Sequence, residues 1–215
     1  LRLCKDCKQF IFMSTTSVYD ESDEPLKENM EMVPYSNYGK SKLACEQMVR
    51  DSGVPYTIIR SSQVFGPEFE EGFVKVLRLI KEGNMKLFGA GDNIIPLVHA
   101  DDLLSARLFV KGNQNAMNQT LNVDGDYQKT QAQFIEMAAK IMRVKVPTKH
   151  VSPTMAKLAG KFIGKSSSVT EYVDKLTKNR LVSTEKISRM GFKPKVDLEQ
   201  GMRDTIKAFK QNGLI

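Results

Sequence analysis

YSNYGKSKLACEQMV (Tyr35–Val49) decides how the rest of the chain is read. It follows a Ser-Asn turn, and its pattern predicts a helix from Asn37 to Asp51, stopped by Gly53-Val54-Pro55. Leu43, Met48 and Val49 supply a loosely periodic apolar face. Within the helix Tyr38 and Lys42 are four apart, and residues four apart on a helix are neighbours whatever their function. What precedes them gives the spacing weight. QFIFMS (9–14) is an apolar run fit for a buried parallel strand, and it ends in Ser14-Thr15-Thr16-Ser17. A free tyrosine, with a pKa of about 10, is a poor base at neutral pH, and an ammonium beside it favours the phenolate. A hydroxyl at a strand's carboxyl end can hold the same substrate oxygen, at the end where open α/β sheets bind ligands.

Beyond this segment the pattern alternates. PYTIIR (55–60) and QTLNV (119–123) read as strands, and MKLF and IIPLV as short strands around the turn GAGDN. GFVKVLRLIKEGN, with Val74, Leu77 and Ile80 on one face, predicts a helix, as do residues 100–112, with Asp101 or Asp102 near the start as its cap. Thr130 with Gln133 forms a capping box ahead of Phe134, Met137, Ala138 and Ile141. Ser152-Pro153 starts another helix, and Asp197 with Gln200 caps a last one through Phe209. Strands alternating with helices predict an α/β fold with a parallel sheet.

Composition excludes several classes. The chain has 215 residues and a formal net charge of +7, but its cations are scattered, with only short clusters such as KLAGKFIGK. A nucleic-acid binder would show a denser basic stripe with interleaved aromatics. No run of apolar residues is long enough to span a membrane. Three cysteines point to a reducing compartment, read as the cytoplasm. Cys4 and Cys7 lack a second ligand pair for zinc, so no metal is expected.

With these residues in view, the sequence resembles the extended short-chain dehydrogenases/reductases, the NAD-dependent epimerase/dehydratase family. FIFMSTTSVYD resembles the strand carrying the family's catalytic Ser/Thr, and YGKSKLACEQ its Y-x-x-x-K helix. YTIIRSSQVFGPE resembles the strand and loop that end in V-Y-G-P, and LFGAGDNIIPLVHADDLLSA the stretch around V-H-V-x-D. LNV and RMGFKPKVDLEQGMRDTIKAF are similar to the C-terminal signatures. The resemblance implies a Rossmann-like parallel sheet as the catalytic half with a small, mostly helical C-terminal substrate-binding part, 1–66 and 89–125 in the catalytic part and 67–88 and 126–215 in the substrate-binding part. It implies an enzyme that uses NAD or NADP on a hydroxyl or keto group of a small molecule, first of all a nucleotide-sugar 4-epimerase-like enzyme, as a homo-oligomer. It implies Thr15 as the catalytic hydroxyl and Tyr38 as the acid–base group. Lys42 would hold the nicotinamide ribose and activate Tyr38, Ser62 would touch the nicotinamide end of the cofactor, and Gln63 would touch substrate. It gives His99 a structural place and Arg60 a salt bridge near the strand end.

Departures refine the expectation. Family dehydratases carry an acidic pair after the catalytic Thr, and decarboxylases a Glu just before Val-Tyr; here Thr16 and Ser17 stand there. That favours hydride transfer alone, as in a 4-epimerase. Ile95 and Pro96 replace an Arg that grips the diphosphate in many sugar-nucleotide enzymes, which weakens that case and keeps a hydroxysteroid-dehydrogenase-like or dihydroflavonol-reductase-like ketone reductase as the alternative. No G-x-G-x-x-G is present, and the resemblance implies a βαβαβ half of roughly 100 residues ahead of the catalytic strand. A chain without that half is expected to be a fragment, and the competing reading is an inactive remnant or a binding module.

Overall fold

The computed structural model describes residues 6–20, 22, 24–70, 72–155, 158 and 179–215, with the side chain of Phe88 left aside. The chain divides into two compact units. The first takes in Leu1–Val64, Pro96–Asp126 and Leu181–Val196. Its centre is a parallel sheet of β1 (Phe10–Thr15), β2 (Tyr56–Ser61) and β6 (Gln119–Val123), with β2 in the middle. The register sets Thr15 opposite Ser61 and Ser61 opposite Val123, so one row of residues crosses the carboxyl ends of all three strands. β2 is buried over almost its whole length, as the continuous apolar run of a two-sided parallel strand requires.

Two helices flank this sheet. α1 (Asn37–Arg50) is capped by Ser36, whose hydroxyl accepts from the Gly39 N–H at 3.0 Å. α3 (Ala100–Val110) buries Leu103, Ala106 and Val110 in a core with Ile59, Val98, Leu121 and Val123. Its cap differs from the sequence expectation. The His99 ring accepts from the Asp101 N–H, while Asp102 is buried and accepts from the backbone N–H groups of Lys195 and Val196 at 2.8 and 3.1 Å. Asp102 therefore fastens a distant segment. The strand expected over IIPLV is shorter: β5 covers Leu97–His99, and Ile94 makes only an isolated bridge to Thr130.

The second unit takes in Phe65–Ile95, Tyr127–Arg180 and Asp197–Ile215. α2 (Phe73–Lys81), α4 (Gln131–Met142) and α6 (Leu198–Gln211) bury Phe73, Leu77, Phe134, Ile135, Ile206 and Phe209. The Phe73 and Phe134 rings meet edge to face, 5.7 Å apart. The Thr130–Gln133 capping box and the Asp197 cap form as the sequence predicts. β4 (Leu87–Phe88) pairs in parallel with β7 (His150–Val151), which the sequence did not announce. The helix expected from Ser152 lies for the most part outside the described residues.

Apart from shifts of one or two residues at the boundaries, the compact units differ from the expected division in two segments. Residues 89–95 fall in the second unit, where the Ala132 N–H donates to the Gly91 C=O. Residues 181–196 return to the first. There Leu26 and Leu181 pair backbones, and α5 (Glu185–Arg189) seats Ile187 in the sheet's core. That return was illegible because its apolar anchors are few and sit in a polar stretch.

Candidate active site

Every residue the sequence singled out for chemistry lies in the first unit. Thr15 closes β1 and is buried; its hydroxyl oxygen accepts from the Ser17 N–H at 3.2 Å, which leaves its proton free to donate. The chain then makes a 3-10 turn over Thr16–Val18, so Thr16 and Ser17 form the turn. Lys42 donates from Nζ to the Met13 C=O at 2.9 Å and lies 5.2 Å from the Phe12 ring centre. The same Nζ is 5.8 Å from the centre of the Tyr38 ring, and Tyr38 is 58% exposed. Lys42 is therefore tied to β1 two residues before Thr15, and its ammonium is near the Tyr38 ring.

Two features hold this arrangement, and a third extends the row of strand ends. Gly39 permits the first: an added Cβ would lie 2.3 Å from the Ser17 C=O oxygen, so only glycine lets α1 approach the turn after Thr15 this closely. The second is a buried ionic cluster. Arg60 meets Glu46 through Nε–Oε1 at 2.9 Å and Nη2–Oε2 at 2.7 Å, and the Ser14 hydroxyl donates to Glu46 at 2.5 Å. Burial alone would push the Glu46 carboxyl up, but the bonds and charge of Arg60, with Ser14 and Arg50, outweigh it and hold it below the usual range. Tyr19 completes the cluster. Its phenol accepts from Arg60 at 2.8 Å and donates to Asn122 at 2.7 Å, while the guanidinium sits 4.8 Å from its ring centre. Arg60 is thus a fully buried tie between β2 and α1, deeper than the strand-end salt bridge the sequence suggested.

The third feature lies one step beyond the row Thr15–Ser61–Val123. Ser62 donates its N–H to the Val123 C=O at 3.0 Å and is buried. Asp124 follows β6, also buried, and its Oδ2 accepts from the Asp126 N–H at 2.9 Å. Burial pushes the Asp124 carboxyl up to about 6, against the Ser62 hydroxyl beside it and the Asp126 N–H, which favour the ionised form. Gln63 is exposed, its N–H donating to the Pro96 C=O.

Glu46, Tyr19 and Asp124 were missed at the level of sequence. Glu46 had a readable signal, since it lies four residues after Lys42, one turn along the helix. Asp124 had a weaker one, an acid directly after the apolar run LNV.

A groove of about 1040 Å³ elsewhere on the unit is lined by Arg50, Asn118, Thr120, Lys186 and Arg189, among others. It lies at the amino end of β6 and the last turn of α1, away from Thr15. Three of its cations are engaged: Arg50 with Glu46, Lys186 with the Thr120 C=O, and Arg189 with Glu185. Among the described residues no cluster of three or more His, Cys, Asp or Glu side chains is placed to hold a metal ion, and no helix is long and apolar enough to cross a membrane.

Residues 1–124 match the NAD dependent epimerase/dehydratase family. The chain belongs to that family. The UDP-glucose 4-epimerase of Vibrio cholerae is 29% identical over 95% of this chain and 64% of its own length. The dTDP-D-glucose 4,6-dehydratase of Mus musculus is 26% identical over 95% of this chain and 56% of its own. The UDP-glucuronic acid 4-epimerase of Bacillus cereus, solved with NAD, superposes with a TM-score of 0.77 at 22% identity, over 98% of this chain and 65% of that one. The chain thus spans less than two thirds of the length of these relatives. The superposition shows the fold, the Rossmann-like α/β architecture of epimerases.

Proposed function

We propose that the protein acts as an NAD- or NADP-dependent oxidoreductase on a hydroxyl or keto carbon, in the manner of a nucleotide-sugar 4-epimerase. The observation that supports this reading is Lys42, tied to the Met13 C=O two residues before Thr15 and 5.8 Å from the Tyr38 ring centre, inside a chain of the NAD-dependent epimerase/dehydratase family.

The residues fit a dinucleotide. Lys42 uses one N–H on the Met13 C=O, and an ammonium has three, so two remain for ribose hydroxyls. Tyr38 is open to a ligand, and the Ser62 hydroxyl lies in the row past the strand ends. When bound, the dinucleotide supplies the hydride acceptor. The chain supplies the proton chemistry. Tyr38 takes the proton of the substrate hydroxyl as the carbon is oxidised and returns it when the carbonyl is reduced. Thr15 donates a hydrogen bond to the same oxygen and fixes its distance from Tyr38. Lys42 keeps a positive charge beside the phenol through both half-reactions. Gln63, exposed at the start of β3 (Gln63–Phe65), contacts substrate. Residues 67–88 and 126–215 are assigned to substrate binding, and the cytoplasm as the compartment.

The epimerase reading is supported by the relatives' activities and by Thr16 and Ser17, which supply no carboxylate for a dehydration step. A one-way ketone reductase is the second reading, favoured by Ile95 and Pro96 at the place of a phosphate-binding Arg. UDP-glucose tests them, with the protein expressed at the full length of its reading frame. Formation of UDP-galactose supports the epimerase. Reduction of a steroid or flavonoid ketone with no sugar turnover supports the reductase.

A further inference from the structure

Asp124 has no stabilising reason to be an acid. It is 7% exposed, its Oδ1 makes no hydrogen bond of ordinary geometry, and the charge that acts on it is the like charge of Asp126. An asparagine would be the same size and would still accept the Asp126 N–H through its carbonyl oxygen. Burying a carboxylate without a cation costs stability, and such groups collect at functional sites. Asp124 also anchors a constrained turn, since Asp126 has a left-handed backbone with φ 55°, rarely adopted by residues other than glycine.

Its location supplies the reason. Ser62 and Asp124 are the residues just past the paired ends of β2 and β6, in the row after Thr15–Ser61–Val123. The Ser62 hydroxyl oxygen is buried beside the carboxyl and, like Oδ1, makes no hydrogen bond of ordinary geometry. A carboxylate only accepts, whereas a hydroxyl can donate once and accept twice. An ionised Asp124 therefore draws the Ser62 proton to itself and leaves the lone pairs of Ser62 directed away. A neutral carboxyl carries its own proton and no longer imposes that orientation.

We propose that Asp124 is a positioning residue of the site assigned above, acting through Ser62: its carboxylate sets the Ser62 hydroxyl as an acceptor for an amide or hydroxyl donor of the bound dinucleotide. This rests on the dinucleotide reading of the site. The groups facing Asp124 are Ser62 from the end of β2 and, within its own turn, the Gly125 and Asp126 N–H groups and the Asp126 carboxyl. Loss of ionisation should therefore weaken binding in acid.

The test is the affinity for NADH and NADPH, measured by nicotinamide fluorescence from pH 5 to 8 on the protein expressed at the full length of its reading frame. Wild-type affinity is expected to fall about tenfold between pH 7.5 and pH 5. Asp124→Asn should bind at the weak, acid-form level with a flat profile. Ser62→Ala should remove the same pH dependence, and adding Asp124→Asn to it should change nothing further. An Asp124→Asn variant with the wild-type slope overturns the inference while leaving the dinucleotide reading intact. No saturable binding of either nucleotide at any pH overturns the dinucleotide reading, and the inference with it.

Discussion

The Glu46 carboxylate and the Arg60 guanidinium meet in a two-point contact, Nε to Oε1 at 2.9 Å and Nη2 to Oε2 at 2.7 Å, with both side chains out of water. The pair joins α1, which carries Tyr38 and Lys42, to β2, and Ser14 joins it from β1. Removing one partner of a buried pair leaves the other charge uncompensated. Glu46→Gln is expected to destabilise the fold by about 3–5 kcal/mol, read from urea unfolding followed by circular dichroism. A loss below about 1 kcal/mol, the range of exposed pairs, would show that the contact does not hold the helix.

Gly39 sets the approach of α1 to the turn after Thr15. The Ser17 C=O leaves no room for a methyl group, and backbone cannot step aside as a flexible side chain can. Gly39→Ala should cost about 1–3 kcal/mol of stability, the usual scale of overpacking, despite alanine's better helix propensity. Thermal unfolding checks it, and a variant as stable as wild type would mean that the helix can slide without penalty.

Asp124 makes a signed prediction about stability. Its folded value of about 6 lies above the ordinary 3.8, so the folded state binds this proton more tightly than the unfolded one. The benefit of the proton is complete below about pH 3.8 and lost as pH rises through about 6. Each tenfold difference in proton affinity is worth about 1.4 kcal/mol, so the loss at neutral pH is about 3 kcal/mol. Asp124→Asn should therefore gain stability relative to wild type between pH 5 and pH 8. Urea midpoints at the two pH values measure it, and a difference that does not change with pH would contradict the assignment.

Lys42 is expected to act on dinucleotide and substrate alike. Lys42→Met keeps much of the aliphatic stem but loses the bond to the Met13 C=O and the charge beside Tyr38. Dinucleotide affinity and turnover should both fall, measured by fluorescence titration and by product formation. If neither changes, the residue is a surface neighbour at helical spacing and nothing more.

The substrate class is decided by calorimetry with UDP. Arg78 donates from Nε to the Leu214 C=O at 2.6 Å, and Arg180 is buried, so neither substitutes simply for the missing phosphate grip, whereas Lys75 is exposed. Saturable binding is expected from the epimerase reading. None at millimolar UDP would favour the ketone reductase.

The apolar strands and capped helices were legible in the sequence because each depends on local pattern. The β1, β2 and β6 runs, the Thr130 box and the Asp197 cap all formed where the residues indicated. What was not legible depends on distant partners. Asp102 looks like a helix cap until Lys195 and Val196 arrive beside it, and Glu46 looks like a surface residue until Arg60 comes in from β2. The same holds for the site. Tyr38 and Lys42 were visible through their spacing, but Asp124 becomes notable only once the sheet register brings it beside Ser62.

The central claim is that Tyr38 moves the substrate proton. Tyr38→Phe removes the phenol oxygen and keeps the ring, and because the side chain is 58% exposed the fold should not suffer. The measurement is single-turnover oxidation or epimerisation of UDP-glucose by the protein at the full length of its reading frame, alongside its NADH affinity. Turnover is expected to fall about 10²-fold or more with dinucleotide affinity unchanged. Near-normal turnover in Tyr38→Phe would contradict the claim.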